Sequence, residues 1–138
     1  IDVASCQFAL HYLCGARAAV VSCLTEVARV LKPDGTLVVT LPDHDRVRTA
    51  LVDGDPYPHM RVCGEPLPRD AVLARDPWGH GYTFEYVGRT PPLPEFAVYP
   101  PALEDLARDC GLELARRTDP PPGSEFYTAR VFTRVAST

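Results

Sequence analysis

Gln7, Phe8, His11 and Tyr12 fall close together in the segment Ser5-Cys6-Gln7-Phe8-Ala9-Leu10-His11-Tyr12, directly after the short strand-like run Ile1-Asp2-Val3-Ala4. An amide, an imidazole and a phenol donate and accept hydrogen bonds. The rings of Phe8 and Tyr12 offer faces for a flat ligand. In open α/β sheets the edge where a strand gives way to a loop is where ligands bind. On residue type alone, His11 and Tyr12 equally suit the polar end of a strand. Glu95, between Pro94 and Phe96, reads by itself as a solvated loop acid. Tyr127 suits either a half-buried strand or a platform for a flat ring. Trp78 and Tyr82 read as packing residues. Asp43-His44-Asp45 has metal-binding chemistry, but three adjacent side chains seldom converge on one ion, so a solvated turn is expected. Arg108, Arg116 and Arg117 read by default as surface charge.

The elements that must hold these residues follow from pattern. Residues 1–6 are expected to form a strand. Over 17–31, Val20, Leu24, Val27 and Leu31 recur at helical spacing and give one apolar stripe. Lys32-Pro33-Asp34-Gly35 ends that helix and turns the chain. Residues 36–41, apolar on both faces, fit a central parallel strand. Strand, helix, turn and strand make half of a doubly wound sheet. Asp43–Val52 suits a short helix, and the polar remainder of 45–77 reads as an irregular insertion or a mobile lid. Residues 80–88 alternate aromatic and polar and read as a strand. Thr90–Pro94 reads as a proline-rich connector. Helix 101–110 closes at Gly111, Leu112–Arg116 is a strand, Asp119–Ser124 a loop, and Glu125–Val135 the last strand.

Bulk properties narrow the class. The chain has 138 residues, 46% hydrophobic and 23% charged, which fits one folded domain rather than a disordered chain. Arg supplies all the basic residues except Lys32, and the net charge of −4 argues against a broad nucleic-acid-binding surface while leaving room for a local basic patch. Cys6, Cys14, Cys23, Cys63 and Cys110 form no C-x-x-C pair, so a zinc site is not expected and reduced thiols are. No apolar run reaches membrane-spanning length. Residue 1 is Ile, the only Met is Met60, and the chain opens in a strand. It is therefore read as the C-terminal part of a longer protein.

Ordered motifs add a resemblance. Ser5-Cys6-Gln7-Phe8-Ala9-Leu10-His11-Tyr12 is followed by Leu31-Lys32-Pro33-Asp34-Gly35, Leu41-Pro42-Asp43, and Trp78-Gly79-His80-Gly81-Tyr82-Thr83-Phe84. Leu93-Pro94-Glu95-Phe96-Ala97-Val98 comes next, then the helix motif Leu103–Leu114 and Phe126-Tyr127-Thr128-Ala129-Arg130-Val131-Phe132. In this order the motifs resemble the mRNA cap guanine-N7 methyltransferases over residues 1–44 and 78–133, leaving 45–77 unplaced. The chain departs from that pattern at Leu13-Cys14-Gly15-Ala16, where the family usually has a polar or acidic stretch. It departs again in the shortened proline loop before the last strand.

The resemblance implies an α/β, Rossmann-like class I methyltransferase fold, of which this chain is the C-terminal part of the sheet, with the cofactor-loop half expected upstream of Ile1. It implies S-adenosylmethionine as cofactor, bordered here by Gln7 and Tyr12, and the capped 5′ end of mRNA as substrate. The cap guanine would be held by Phe8, His11, Tyr12, Pro42, Glu95 and Tyr127. Glu95 would accept from N1–H and N2–H₂, His11 would donate to O6, Phe8, Tyr12 and Tyr127 would stack on the base, and the Pro42 carbonyl would lie beside it. No side chain is expected to move a proton, because guanine N7 has its own lone pair and needs alignment only. Alone, the segment is expected to bind cofactor poorly and to be inactive. An activating subunit or fused capping domains, and work in the nucleus or a viral factory, belong to the same expectation. Two other readings fit the residues: a class I methyltransferase for another substrate, and an inactive methyltransferase-fold accessory subunit.

Overall fold

Pro33-Asp34-Gly35 makes the turn on which the first layer depends. Asp34 takes φ 65° and its N–H donates to the Arg134 carbonyl, while a Cβ on Gly35 would meet the Lys32 carbonyl oxygen at 2.8 Å. Only glycine fits so close to backbone. The computed structural model describes residues 1–54, 58–118 and 126–135. The expected loop at Asp119–Ser124 and the first residue of the last strand lie outside them.

Strand β1 (Val3–Gln7) leads through a 3₁₀ turn (Leu10–Leu13) to helix α1 (Arg17–Val30) and strand β2 (Thr36–Pro42). Helix α2 (His44–Asp53), strand β3 (Met60–Cys63) and the short helix α3 (Asp70–Leu73) follow. Strands β4 (Gly81–Tyr86) and β5 (Leu93–Phe96), helix α4 (Pro100–Asp109) and strands β6 (Leu112–Thr118) and β7 (Tyr127–Arg134) complete the described chain.

The strands form two sheets, β1-β2-β7-β6 and β3-β4-β5. In the first, β2 is parallel to β1 but antiparallel to β7, so the expected central parallel strand is parallel on one side only. Leu37, Val39 and Leu41 of β2 are buried against Val20, Leu24 and Leu31, and Val27 is only half-buried. From α4 come Leu103, Leu106 and Ala107, which join Leu112 and Phe132 in the same core. Two prolines open α4 in its first turn, where no intrahelical N–H is needed, and Gly111 leaves the helix at φ 89°.

The second sheet corrects two expectations. Residues 45–77 are not all irregular, because β3 pairs antiparallel with β4. The connector proposed over Thr90–Pro94 gives way at Leu93 to β5, which pairs with β4 so that Tyr82 stands opposite Glu95. Pro94 is tolerated because β5 is an edge strand. The turn expected at Asp43-His44-Asp45 is instead the start of α2. Asp43 caps it by accepting from the Arg46 N–H at 3.1 Å, and His44 is buried.

Candidate functional site

Glu95 is 5% exposed, an uncommon setting for a carboxylate. Its two oxygens are held separately. Tyr12 Oη donates to Oε2 at 3.0 Å and Tyr82 Oη donates to Oε1 at 3.0 Å. His11 Nε2 lies 3.4 Å from Oε1. Three elements therefore converge here: the 3₁₀ turn after β1, and the neighbouring strands β4 and β5. Burial first, and then the Glu95 carboxylate, push the Tyr12 and Tyr82 hydroxyls above their ordinary range. Both remain protonated donors at neutral pH. The loop acid of the sequence reading is thus a fixed, buried acceptor.

Gly15 explains how the turn reaches β5. The Phe96 ring lies so near that a Cβ on Gly15 would stand 2.7 Å from it. Cys14 is fully buried beneath, with its thiol pushed up to about 12 by that burial, and its carbonyl accepts from the Gly79 N–H at 2.9 Å. The stretch Leu13-Cys14-Gly15-Ala16, which departs from the family pattern, therefore seats the turn that carries His11 and Tyr12.

Glu95 lies on the wall of a cavity of about 660 Å³ that Phe8, His11, Tyr12, Tyr86 and Tyr127 also line. That volume is in the usual range for small-molecule sites. Phe8 holds φ 56°, an unusual backbone state for a bulky residue, with its N–H bonded to the Thr40 carbonyl. Its ring meets that of Tyr127 edge to face, with centroids 4.8 Å apart. The Tyr127 and Tyr86 hydroxyls are 3.0 Å apart, and burial followed by that bond raises Tyr127 well above the ordinary phenol range. The result is an aromatic cleft with one oriented carboxylate, suited to a flat heterocycle that presents two adjacent donors.

Phe8, His11, Tyr12, Glu95 and Tyr127 are brought together. Pro42, whose carbonyl was the expected contact, is buried at the end of β2 beside its strand partner Tyr127, and does not itself line the cavity. His11 directs its Nε2 towards Glu95 Oε1, so a donor to O6 would stand beside the carboxylate, and its Nδ1 is buried with no hydrogen-bond partner among the described residues. Gln7 stands outside the cavity wall, at the exposed carboxyl end of β1. Its Oε1 accepts from the Thr40 hydroxyl and its Nε2 donates to Ser5 Oγ at 2.9 Å. That edge of parallel strands suits a nucleoside cofactor. Gln7 keeps one amide hydrogen to offer, and Tyr12 its exposed ring. Tyr82, read from sequence as packing, is indeed buried in the core, and it also holds Glu95 Oε1, a contact the sequence reading did not include. Its alternation with Phe84 and Tyr86 was visible, but its partner was not. Arg108 and Arg117 pair with Asp105 at 3.2 Å and Glu104 at 2.7 Å, which fits the surface-charge reading.

Solved structures of low identity share this fold. The CcbJ methyltransferase from Streptomyces caelestis superposes with a TM-score of 0.63 at 19% identity, over 98% of this chain and 57% of that one. The class is thus a Rossmann-like class I methyltransferase fold. Residues 1–133 match the mRNA (guanine-N(7))-methyltransferase domain, and the chain belongs to that family. The mRNA cap guanine-N(7) methyltransferase of Drosophila melanogaster is 33% identical over an alignment of 128 positions that covers 86% of this chain and 28% of the relative. That of Debaryomyces hansenii is 30% identical over an alignment of 123 positions that covers 83% of this chain and 24% of the relative. The chain thus spans about a quarter of the length of these relatives.

Proposed function

We propose that this chain supplies the guanine-binding half of an enzyme that methylates N7 of the mRNA 5′ cap. The observation that carries the reading is the buried Glu95, both oxygens oriented, at one wall of an aromatic cleft. N1–H and N2–H₂ of guanine are adjacent donors, and a carboxylate with free lone pairs accepts both. Guanine O6 is next to N1, so a donor beside Oε1 meets it; His11 Nε2 occupies that place. Phe8, Tyr12 and Tyr127 take the faces of the base, with stacking of about 1–3 kcal/mol per base. The N7 lone pair then needs no general base. As methylation makes the ring cationic, Glu95 and the surrounding π-faces favour the developing charge.

S-adenosylmethionine would supply an electrophilic methyl on sulfur. Gln7 and Tyr12 are this chain's contribution to holding it, beside the guanine cleft. The remaining contacts are assigned to the rest of the protein, as are any activating subunit or fused capping domains. Capping occurs where transcripts are made, so the nucleus is the proposed location; five free thiols are compatible with that setting.

The test uses the full-length protein and two substrates, a guanosine-capped RNA and its inosine-capped counterpart, which lacks N2–H₂. Wild-type protein should prefer guanosine by at least tenfold, about one charged hydrogen bond, and Glu95→Gln should erase the preference. Equal use of both substrates by the wild type would remove the assignment.

A further inference from the structure

The aromatic cleft does not end at Tyr86. A second depression opens on that side chain, bounded by His59, Tyr86, Val87 and Arg89, so that Tyr86 belongs to both walls. We infer that this depression takes the nucleotide that follows the cap guanine, its base on the His59 and Tyr86 rings and a phosphate on Arg89. The inference rests on the guanine reading and extends it along the RNA.

Strand β4 sets the distance. Tyr82, Phe84 and Tyr86 share one face of the strand, and four residues of strand span roughly 13 Å. Tyr82 is bonded to Glu95, and Tyr86 borders the second depression. A guanine gripped by its N1 and N2 edge at Glu95 points its ribose and phosphates away from that edge. The phosphate-linked nucleotide therefore has about the length needed to reach past Tyr86.

The far site has matching chemistry. The His59 and Tyr86 rings are parallel within 5°, with centroids 6.3 Å apart, and present π-faces in one orientation to a stacked base. Backbone bonds hold the group in place: Val87 N–H donates to the His59 carbonyl at 2.9 Å, and the Arg89 and Thr90 N–H groups both donate to the Tyr86 carbonyl. Gly88 supplies the left-handed turn at φ 79°. Arg89 is exposed and has no ion-pair partner among the described residues, in contrast to Arg61, which is paired with Glu85 at 3.1 Å. A lone cation on a rigid turn beside two rings is a small basic patch on a chain of net charge −4.

The experiment measures dissociation constants of the full-length protein for GTP and for a capped pentanucleotide RNA, in wild type, Arg89→Ala and His59→Ala. Both residues are exposed, so folding should be unchanged, and thermal melts check it. Each variant should weaken capped RNA about fivefold or more while moving GTP less than twofold. Arg89→Ala should also reduce the slope of log K against log salt by about 0.7, the value for one phosphate contact on a single strand. His59→Ala should leave that slope unchanged. Equal losses for GTP and capped RNA, or no loss for either, would overturn the inference. Loss of guanine preference in Glu95→Gln together with unaltered RNA affinity in Arg89→Ala would sink the second site alone. An inert Glu95 would sink the guanine reading itself.

Discussion

Behind β1, β2, β6 and β7 the buried residues are mostly aliphatic, among them Leu24, Leu31, Leu37, Val39, Leu103, Leu106 and Leu112, with Phe132 the one fully buried large ring and Trp78 and Phe96 at the margin. Behind β3, β4 and β5 half of them are aromatic or soft, Met60, Tyr82, Phe84 and Phe126, set among Val47, Ala50, Val62 and Ala97. The aliphatic layer has well-defined rotamers and few polar atoms, so its work is to fix where strands end. The aromatic layer carries hydroxyls that must be satisfied when buried. It satisfies them on Glu95 and on the Tyr86–Tyr127 pair, and so builds a recognition surface out of its own core. One region positions, and under the proposed function the other both packs and binds.

That division can be broken from either side. Phe132→Ala empties the aliphatic core and should cost about 3–5 kcal/mol of stability, read as a fall in the denaturant midpoint. Where the protein remains folded, guanosine over inosine preference should be kept. Glu95→Gln should do the reverse. It keeps an acceptor for Tyr82 but places an amide N–H₂ against guanine donors, and capped-RNA methylation should fall about a hundredfold or more with a melting temperature near that of wild type. A large loss of stability with unchanged turnover would show that the carboxylate only packs.

Smaller changes sharpen the boundary. Tyr82→Phe removes one hydrogen bond to Oε1 and retains the ring. About 1 kcal/mol should be lost, appearing as a several-fold rise in KM for capped RNA with little change in cofactor affinity. Equal effects on both would mean that Tyr82 does not act through Glu95. The smallest effect concerns His44, at the start of α2. Burial, reinforced by Arg48 at 3.2 Å, holds its imidazole below the ordinary 6.5. Below pH 6.5 the unfolded chain takes up a proton that the folded chain resists, so stability from this group is full above 6.5 and declines as pH falls towards the depressed value. His44→Gln should flatten that part of the stability profile between pH 7.5 and 5.5, and activity at pH 7.5 should not change.

Much of the positioning layer was legible. The stripe of Val20, Leu24 and Leu31, the Pro33-Asp34-Gly35 stop, and the small-residue exit at Gly111 are local signals, because helix periodicity and turn chemistry act over a few residues. The second sheet was less legible. Met60–Cys63 is too short for its alternation to stand out, and Pro94 argues against a strand unless the strand is known to be an edge. The site residues Phe8, His11, Tyr12, Glu95 and Tyr127 came from ordered motifs and share one cavity in the structure. The bond from Tyr82 to Glu95 did not emerge, since it comes from the strand register that sets the two opposite each other.

The sequence by itself determined the residue types available to the cleft, the helices and turns that carry the aliphatic layer, and membership of a methyltransferase family. Only the tertiary structure decided which of those residues meet. The β4–β5 register places Tyr82 on Glu95, and the contact of Phe96 with Gly15 brings His11 and Tyr12 to the same carboxylate. Both are long-range pairings whose energy depends on close packing between distant segments, and no local spacing encodes that.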